Sequence, residues 1–171
     1  MNTGNTSSAN YIMEYRKILK TDNSKVAQMI RRVFDEYKAV TKGTVYTDPT
    51  TDNLFELFQV DKAVFFLAIH NNEVKGCCGI YPTKGLPENC AELVKYYVAG
   101  DVRGTGVGRQ LYEKCESYAI EQGYKNLYIE SMPDFNQAVR IYKKIGYKVL
   151  TKPLGNSGHF GCDIWMLKQL N

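Results

Sequence analysis

The sequence predicts a mixed α/β fold, with one mixed, mostly antiparallel sheet of about seven strands flanked by about four helices. Three observations predict it. Short runs rich in β-branched and aromatic residues alternate with stretches of helical period. Two of these runs are joined by a short turn, which makes them an antiparallel hairpin. Later, a strand, a glycine-rich turn, a helix and another strand follow one another, and that order is typical of a parallel pair.

The first part of the chain predicts two helices and four strands. Residues 1–10 are small, polar and without period, and we expect them to be disordered. The predicted elements that follow are a strand at 11–19, a helix at about 24–38 capped by Asp22 or Asn23, a short helix after Pro49, a hairpin of strands at 63–70 and 74–81, and a strand at 90–98. The first helix depends on apolar residues that recur at helical spacing between Val26 and Tyr37.

The second part predicts two more helices and three more strands. They are a helix at roughly 106–122, a strand at 125–131, a helix at about 135–145, and closing strands at 147–152 and 162–170. Gly123 and Gly146 stand where these helices end, which is the usual place for a C-terminal glycine. Neither a repeat nor a linker divides residues 11–171, so we expect a single domain there.

Bulk composition excludes several classes of protein. The 171 residues are 44% apolar with a net charge of +4, which favours a globular chain and is too weak a charge to indicate nucleic-acid binding. No apolar run is long enough for a membrane span or a secretory signal, and the five cysteines lack framework spacing. We therefore expect a cytoplasmic protein with reduced thiols. The two histidines stand outside metal-ligand spacing, so no metal is expected.

The stretch "VRGTGVGRQL" is the strongest candidate for a binding site. Gly104, Gly106 and Gly108 alternate between a strand and a helix, where free N–H groups and the helix dipole favour an anion. Arg103 and Arg109 flank the turn, which suits a diphosphate. The alternative is a tight structural turn. The spacing matches neither the dinucleotide fingerprint nor the mononucleotide P-loop.

This stretch resembles the coenzyme A loop of the GNAT N-acetyltransferases, in which [RQ]-x-x-G-x-[GA] is matched by Arg103, Gly106 and Gly108. The preceding strand "AELVKYYV" and the following "AVRIYKKIGY" strengthen the resemblance, which spans roughly 12–168 in element order. The resemblance implies that acetyl-CoA lies between two parallel strands that splay apart, and that no metal is needed.

The resemblance also implies which residues bind the donor. Backbone N–H groups of the turn would hold the pyrophosphate, with Arg109 near the phosphates. The pantetheine arm would pair near Val98, and an N–H near Tyr96 would stabilise the thioester oxygen as it gains charge. The implied cofactor-binding set is Tyr96, Val98, Arg103, Gly104, Thr105, Gly106, Val107, Gly108, Arg109 and Asn136. Asn136 stands one position later than the asparagine of many members.

Two residues are implied to be catalytic. Tyr142, four residues before Gly146, would protonate the departing thiolate, and its alternative is packing in the core. Glu92 would take the amine's proton through a water relay, since it lies about 13 Å along the strand from Tyr96. The alternatives for Glu92 are a carboxylate without a role, or His159 as the base. Glu130 faces either the cleft or the core.

The function that the resemblance implies is transfer of an acetyl group from acetyl-CoA to a primary amine, by direct attack in a ternary complex. We expect a small molecule or an amino acid as the acceptor. A protein amine, a non-catalytic coenzyme A sensor and an unrelated nucleotide-binding protein are the alternatives. Nucleic-acid and membrane partners are not expected, and a homodimer is compatible with the resemblance.

Overall fold

Seven strands form one sheet in residues 12–171, the part of the chain that the computed structural model describes. The strands are β1 (Glu14–Lys17), β2 (Val64–His70), β3 (Glu73–Tyr81), β4 (Cys90–Val98), β5 (Asn126–Ser131), β6 (Lys148–Val149) and β7 (Ile164–Gln169). They lie in the order β1-β2-β3-β4-β5-β7-β6, and within this order β4 and β5 are parallel while the other neighbours are antiparallel. The predicted fold class is confirmed. The predicted disordered segment, residues 1–10, lies outside the described residues.

Four α-helices cover the two faces of this sheet in the described chain. They are α1 (Asn23–Tyr37), α2 (Leu54–Leu57), α3 (Val107–Glu121) and α4 (Asn136–Lys144). Apolar residues of α1 and α2 share one buried cluster with one face of the sheet, and those of α3 and α4 share a second cluster with the other face. Gly76 of β3 permits the close approach of α3, because a Cβ atom there would lie 2.8 Å from Leu111 Cδ1. The sheet is therefore the middle layer of three.

Several predicted boundaries were too wide. The strand predicted at 11–19 is β1 alone, and it is followed by a 3₁₀ turn at Lys20–Asp22. The strand predicted at 147–152 shortens to β6; after it the Leu150 N–H still donates to the Trp165 carbonyl at 2.8 Å before the chain leaves the sheet.

Asp22 stands at the N-cap position of α1, as predicted, but its side chain does not cap the helix. The Asp22 carboxylate accepts hydrogen bonds from Arg16 and from the Leu19 N–H, and makes no capping bond to α1. Asn23 instead accepts a hydrogen bond from the Phe55 N–H at 2.8 Å, which ties α1 to α2. Both side chains find partners outside α1, and sequence spacing does not reveal that competition.

Strands β4 and β5 pair only at their first three positions and then separate. The pairs run from Cys90 with Asn126 to Glu92 with Tyr128, whereas β4 continues to Val98 and β5 to Ser131. Strand β4 also carries a bulge on its other side. Gly79 pairs with Val94 and Cys77 with Tyr97, which leaves Lys95 and Tyr96 opposite Cys78 alone. The bulge lies in the part of β4 that has already separated from β5, and the cavity described below opens beside it.

Candidate active site

A cavity of about 1490 Å³ is lined by both splayed strands and by loops from distant parts of the chain. One end is formed by the glycine turn and the start of α3. The other end is formed by the loops at 42–50, 81–84 and 156–162. Strand β4 runs between the two ends. The same cavity is therefore lined by the glycine turn and by the two predicted catalytic residues, Glu92 and Tyr142.

The glycine turn presents a group of unpaired backbone donors. In the described chain, the N–H groups of Gly104, Gly106, Val107, Gly108 and Arg109 have no backbone acceptor, whereas those of Arg103 and Thr105 reach the carbonyls of Gly100 and Val102 at 3.4 Å. Gly104 and Gly106 have φ of +79° and +95°, and a Cβ on either would meet nothing within 4 Å. Open space beside free N–H groups at a helix start fits the pyrophosphate of coenzyme A.

The two arginines beside the turn have different surroundings. Arg103 Nε donates to the Val98 carbonyl at 2.9 Å and Nη2 to Glu36 at 2.6 Å, and its guanidinium lies 4.8 Å from the centre of the Tyr37 ring. These contacts join α1 to the end of β4. Arg109 is exposed and contacts Glu113 at 2.7 Å, one helical turn away. Arg109 is therefore the arginine that is freer to reach a phosphate.

The other predicted donor-side residues take up separate positions. Tyr96 and Val98 line the cavity beside Gly108, where an added Cβ would lie 2.9 Å from the Tyr96 hydroxyl. Val107 is buried in the core, and the Thr105 hydroxyl donates to the Val102 carbonyl at 2.7 Å.

Asn136 does not join this group. It is exposed at the start of α4, and the neighbouring Gln137 lines the cavity in its place. Phe135, which occupies the position where many members have the asparagine, does line the cavity.

Glu92 is a buried carboxylate in the cavity wall, 3% exposed. The Thr83 hydroxyl donates a hydrogen bond to it. Burial raises the pKa of Glu92 to about 7; the Thr83 bond opposes this shift and the charge of Glu130 adds to it. A carboxylate with that pKa is suited to take a proton near neutral pH.

Glu130 faces the cavity, which decides a question that the sequence left open. It lies at the end of β5 and accepts hydrogen bonds from the Tyr128 hydroxyl at 3.0 Å and from the Ser157 hydroxyl at 2.6 Å. The Ser157 contact ties the 156–162 loop to the same cavity wall as Glu92, whereas the Tyr128 contact lies within β5.

Tyr142 combines packing with access to the cavity. It is 5% exposed, and its ring centre lies 6.2 Å from that of Tyr96 and 5.8 Å from that of Tyr147. It also lines the cavity. Burial raises the pKa of Tyr142, so the phenol stays protonated and keeps a proton to donate.

The structure adds a cluster that sequence reasoning missed. Asp48 Oδ2 lies 2.9 Å from His159 Nε2 and 3.7 Å from Lys95 Nζ, and all three residues line the cavity. Burial lowers the pKa of Lys95. The lysine inside the apolar run "AELVKYYV" was a sequence signal that could have indicated this cluster. Nothing in the sequence singled out Asp48, because it looks like an ordinary cap before Pro49.

Neither a metal centre nor a membrane span is found in the described residues. No group of three or more His, Cys, Asp and Glu side chains there could hold a metal ion. No helix of the described chain is long and apolar enough to cross a membrane.

Comparisons with known proteins agree with this geometry. The profile described as the acetyltransferase (GNAT) family matches residues 28–147. The uncharacterized N-acetyltransferase YjgM of Escherichia coli strain K12 is 30% identical over 156 residues, which cover 91% of this chain and 93% of that protein.

Solved structures share the fold. A GNAT-family acetyltransferase from Staphylococcus aureus Mu50 superposes with a TM-score of 0.82 at 17% identity, covering 94% of this chain and 100% of the other. The PaiA N-acetyltransferase from Thermoplasma acidophilum, solved in complex with coenzyme A, superposes with a TM-score of 0.66 at 16% identity, covering 92% and 99%. Because the family profile matches well over half of the sequence, this chain belongs to the GNAT family and is an acyltransferase of the N-acetyltransferase type.

Proposed function

We propose that the protein moves the acetyl group of acetyl-CoA to a primary amine of a small molecule or amino acid, by direct attack in a ternary complex. One observation carries this proposal. A single cavity connects the free N–H groups of the glycine turn with a buried carboxylate whose pKa is about 7. A donor held at one end and an amine held at the other would meet beside β4.

The donor half would be bound by backbone groups. The N–H groups of Gly104, Gly106, Val107 and Gly108 would hold the pyrophosphate, and Arg109 would add a positive charge. The pantetheine arm would follow β4 near Val98. The bulge at Lys95 and Tyr96 interrupts the ladder with β3, which supports a backbone donor near Tyr96 for the thioester oxygen.

The reaction itself needs two proton transfers. The amine nitrogen forms a bond to the acetyl carbonyl carbon, the carbon–sulfur bond breaks, and the sulfur leaves as a thiolate. Glu92 would accept the proton that the amine loses, through water, and Tyr142 would protonate the thiolate. Positioning of the two substrates would carry most of the rate enhancement.

The loops at the acceptor end favour a small amine over a protein amine. The Gly161 N–H donates to the Gly43 carbonyl at 3.0 Å, and the Asn156 N–H donates to the Lys84 carbonyl at 2.8 Å. These bonds hold the 156–162 loop against the two other loops that line this end. Aromatic rings of Tyr37, Phe58, Tyr81 and Phe135 line the same cavity. Such walls suit a compact amine with an apolar body.

Release of free thiol from acetyl-CoA across an amine panel tests this proposal. The panel contains butylamine, 2-phenylethylamine, 1,4-diaminobutane, glycine, L-lysine and an N-acetylated hexapeptide with one lysine. We expect turnover with at least one small amine and little with the peptide. Preference for the peptide would favour the protein-amine alternative. Coenzyme A binding without any turnover would favour the sensor alternative.

Calorimetry with coenzyme A, ATP and NAD tests the donor. We expect binding of coenzyme A, and binding of ATP or NAD without it would contradict the proposal. A homodimer, which the resemblance allows, is tested on the same purified protein by light scattering after size-exclusion chromatography, which gives the mass in solution.

A further inference from the structure

Asp48 lies between two cavity-lining residues that come from distant parts of the chain. Its Oδ2 atom is 2.9 Å from His159 Nε2, across 111 residues of sequence, and 3.7 Å from Lys95 Nζ in the bulge of β4. His159 is only 19% exposed at its side chain and belongs to the loop that covers the acceptor end. One carboxylate oxygen therefore links that loop to β4.

The other oxygen of Asp48 is fixed by its own segment. Oδ1 accepts hydrogen bonds from the Thr50 N–H at 2.9 Å and from the Thr50 hydroxyl at 2.7 Å, which makes Asp48 the cap of the 3₁₀ turn at Pro49–Asp52. Because these two bonds fix Oδ1, they also fix the orientation of the carboxylate and therefore the position of Oδ2. Burial alone would raise the pKa of Asp48, but the hydrogen bonds from His159 and Thr50 outweigh burial and lower it to about 2.

An ionised carboxylate accepts hydrogen bonds and donates none. The His159 nitrogen that faces Asp48 must therefore carry the hydrogen, so a neutral imidazole has its lone pair on Nδ1. No group in residues 12–171 forms a hydrogen bond with Nδ1. Because His159 lines the cavity, Nδ1 is the acceptor that its ring can offer to a ligand there.

We propose that Asp48 is a positioning residue for the acceptor amine, because it holds His159 with Nε2–H toward the carboxylate and leaves Nδ1 to accept a hydrogen bond from the amine. This inference rests on the proposed acetyl transfer. It assigns His159 to amine binding, while proton removal stays with Glu92. Asp48 Oδ2 also lies 3.7 Å from Lys95 Nζ. The carboxylate is therefore an ion-pair partner for the only buried lysine among the described residues.

Nitrogen NMR of the histidine rings tests the geometry without any turnover. The chain has two histidines, so the His159→Gln variant assigns the ring signals of His159. In the wild type at pH 8 we expect one tautomer, with hydrogen on Nε2. In Asp48→Asn, the amide NH₂ can donate to Nε2 and moves the ring hydrogen to Nδ1. Asparagine is as good a helix cap as aspartate, so this variant keeps the Thr50 contact.

Kinetics with 2-phenylethylamine test the role in binding. We expect Asp48→Asn and His159→Gln each to raise KM for the amine by about tenfold, with the Kd of coenzyme A within about twofold of wild type. The double variant should be no worse than either single variant, because both changes remove the same contact. Asp52→Asn is the matched control, since Asp52 lies in the same turn but pairs with Arg31 outside the cavity.

Two results would overturn the positioning role. One is an identical His159 tautomer in wild type and Asp48→Asn. The other is an equal loss of coenzyme A affinity and amine affinity, which would indicate general damage to the cavity. A wild-type protein that acetylates no amine contradicts the proposed function, and the NMR comparison still decides whether Asp48 sets the state of His159.

Discussion

The Thr83 hydroxyl donates a hydrogen bond to the carboxylate of Glu92 in the wall of the cavity. Thr83 belongs to the loop after β3, and Glu92 pairs with Tyr81 of β3 and with Tyr128 of β5. The carboxylate is therefore fixed at the last position where β4 and β5 pair, immediately before the strands separate. Because it is buried there, its pKa rises to about 7, and two predictions depend on that shift.

The rate of acetyl transfer should fall as pH falls through about 7. A base must be ionised to accept a proton, and Glu92 is protonated below its pKa of about 7. We expect Glu92→Gln to lower kcat/KM roughly a hundredfold and to remove this step from the pH profile. Glu88→Gln, at an exposed position outside the cavity, is the control. An unchanged step in Glu92→Gln would assign it to another group, such as the amine itself.

The stability of the fold should also depend on Glu92. Its pKa is raised from the usual 4.5 to about 7 in the folded state, so between these values the unfolded chain has lost a proton that the folded chain keeps. Stability from this group is therefore full below pH 4.5 and declines as pH rises to about 7. We therefore expect the free energy of unfolding of Glu92→Gln, taken relative to that of wild type, to rise by roughly 2 to 3 kcal/mol from pH 5 to pH 8. Urea unfolding of both proteins at the two pH values measures this difference. If the free energy of unfolding depends on pH equally in the two proteins, the prediction is wrong.

Replacing Tyr142 by phenylalanine should separate its packing from its chemistry. Phenylalanine keeps the ring contacts with Tyr96 and Tyr147 but removes the proton that the thiolate would receive. We expect kcat to fall about ten- to a hundredfold, with little change in KM or in the melting temperature. The control is Tyr124→Phe, which alters a buried tyrosine outside the cavity. If kcat is unchanged, Tyr142 serves the core alone.

Two glycines at opposite ends of α3 offer a matched test of the coenzyme A site. Gly106 and Gly123 have φ of +95° and +83°, and an added Cβ would meet nothing within 4 Å at either. Alanine should therefore cost about 1 to 2 kcal/mol of backbone strain at both positions.

Only Gly106→Ala should weaken coenzyme A binding, by about tenfold in calorimetry, because its N–H is among those left free at the turn. Equal affinities of the two variants for coenzyme A would mean that the turn does not hold the pyrophosphate.

Much of the fold was predictable because it depends on local patterns. Helical spacing located α1 and α3 to within a residue or two, and short runs rich in β-branched and aromatic residues located β2, β3 and β4. The boundaries of β1 and β6 were not predictable, since strand ends depend on which partner strand is still within reach. The alternation of glycines at 104, 106 and 108 predicted the turn, and the structure adds which of its N–H groups stay unpaired.

The sequence by itself determined the order of elements, the glycine turn and the resemblance that singled out Glu92 and Tyr142. Each of these depends on residues close together in the chain, where spacing and backbone preference operate directly. Only the tertiary structure decided that Arg103 contacts Glu36, that Asn136 lies outside the cavity lining, and that Asp48 contacts His159. Burial and contacts between distant segments arise when the layers pack, and burial is also what raises the pKa of Glu92.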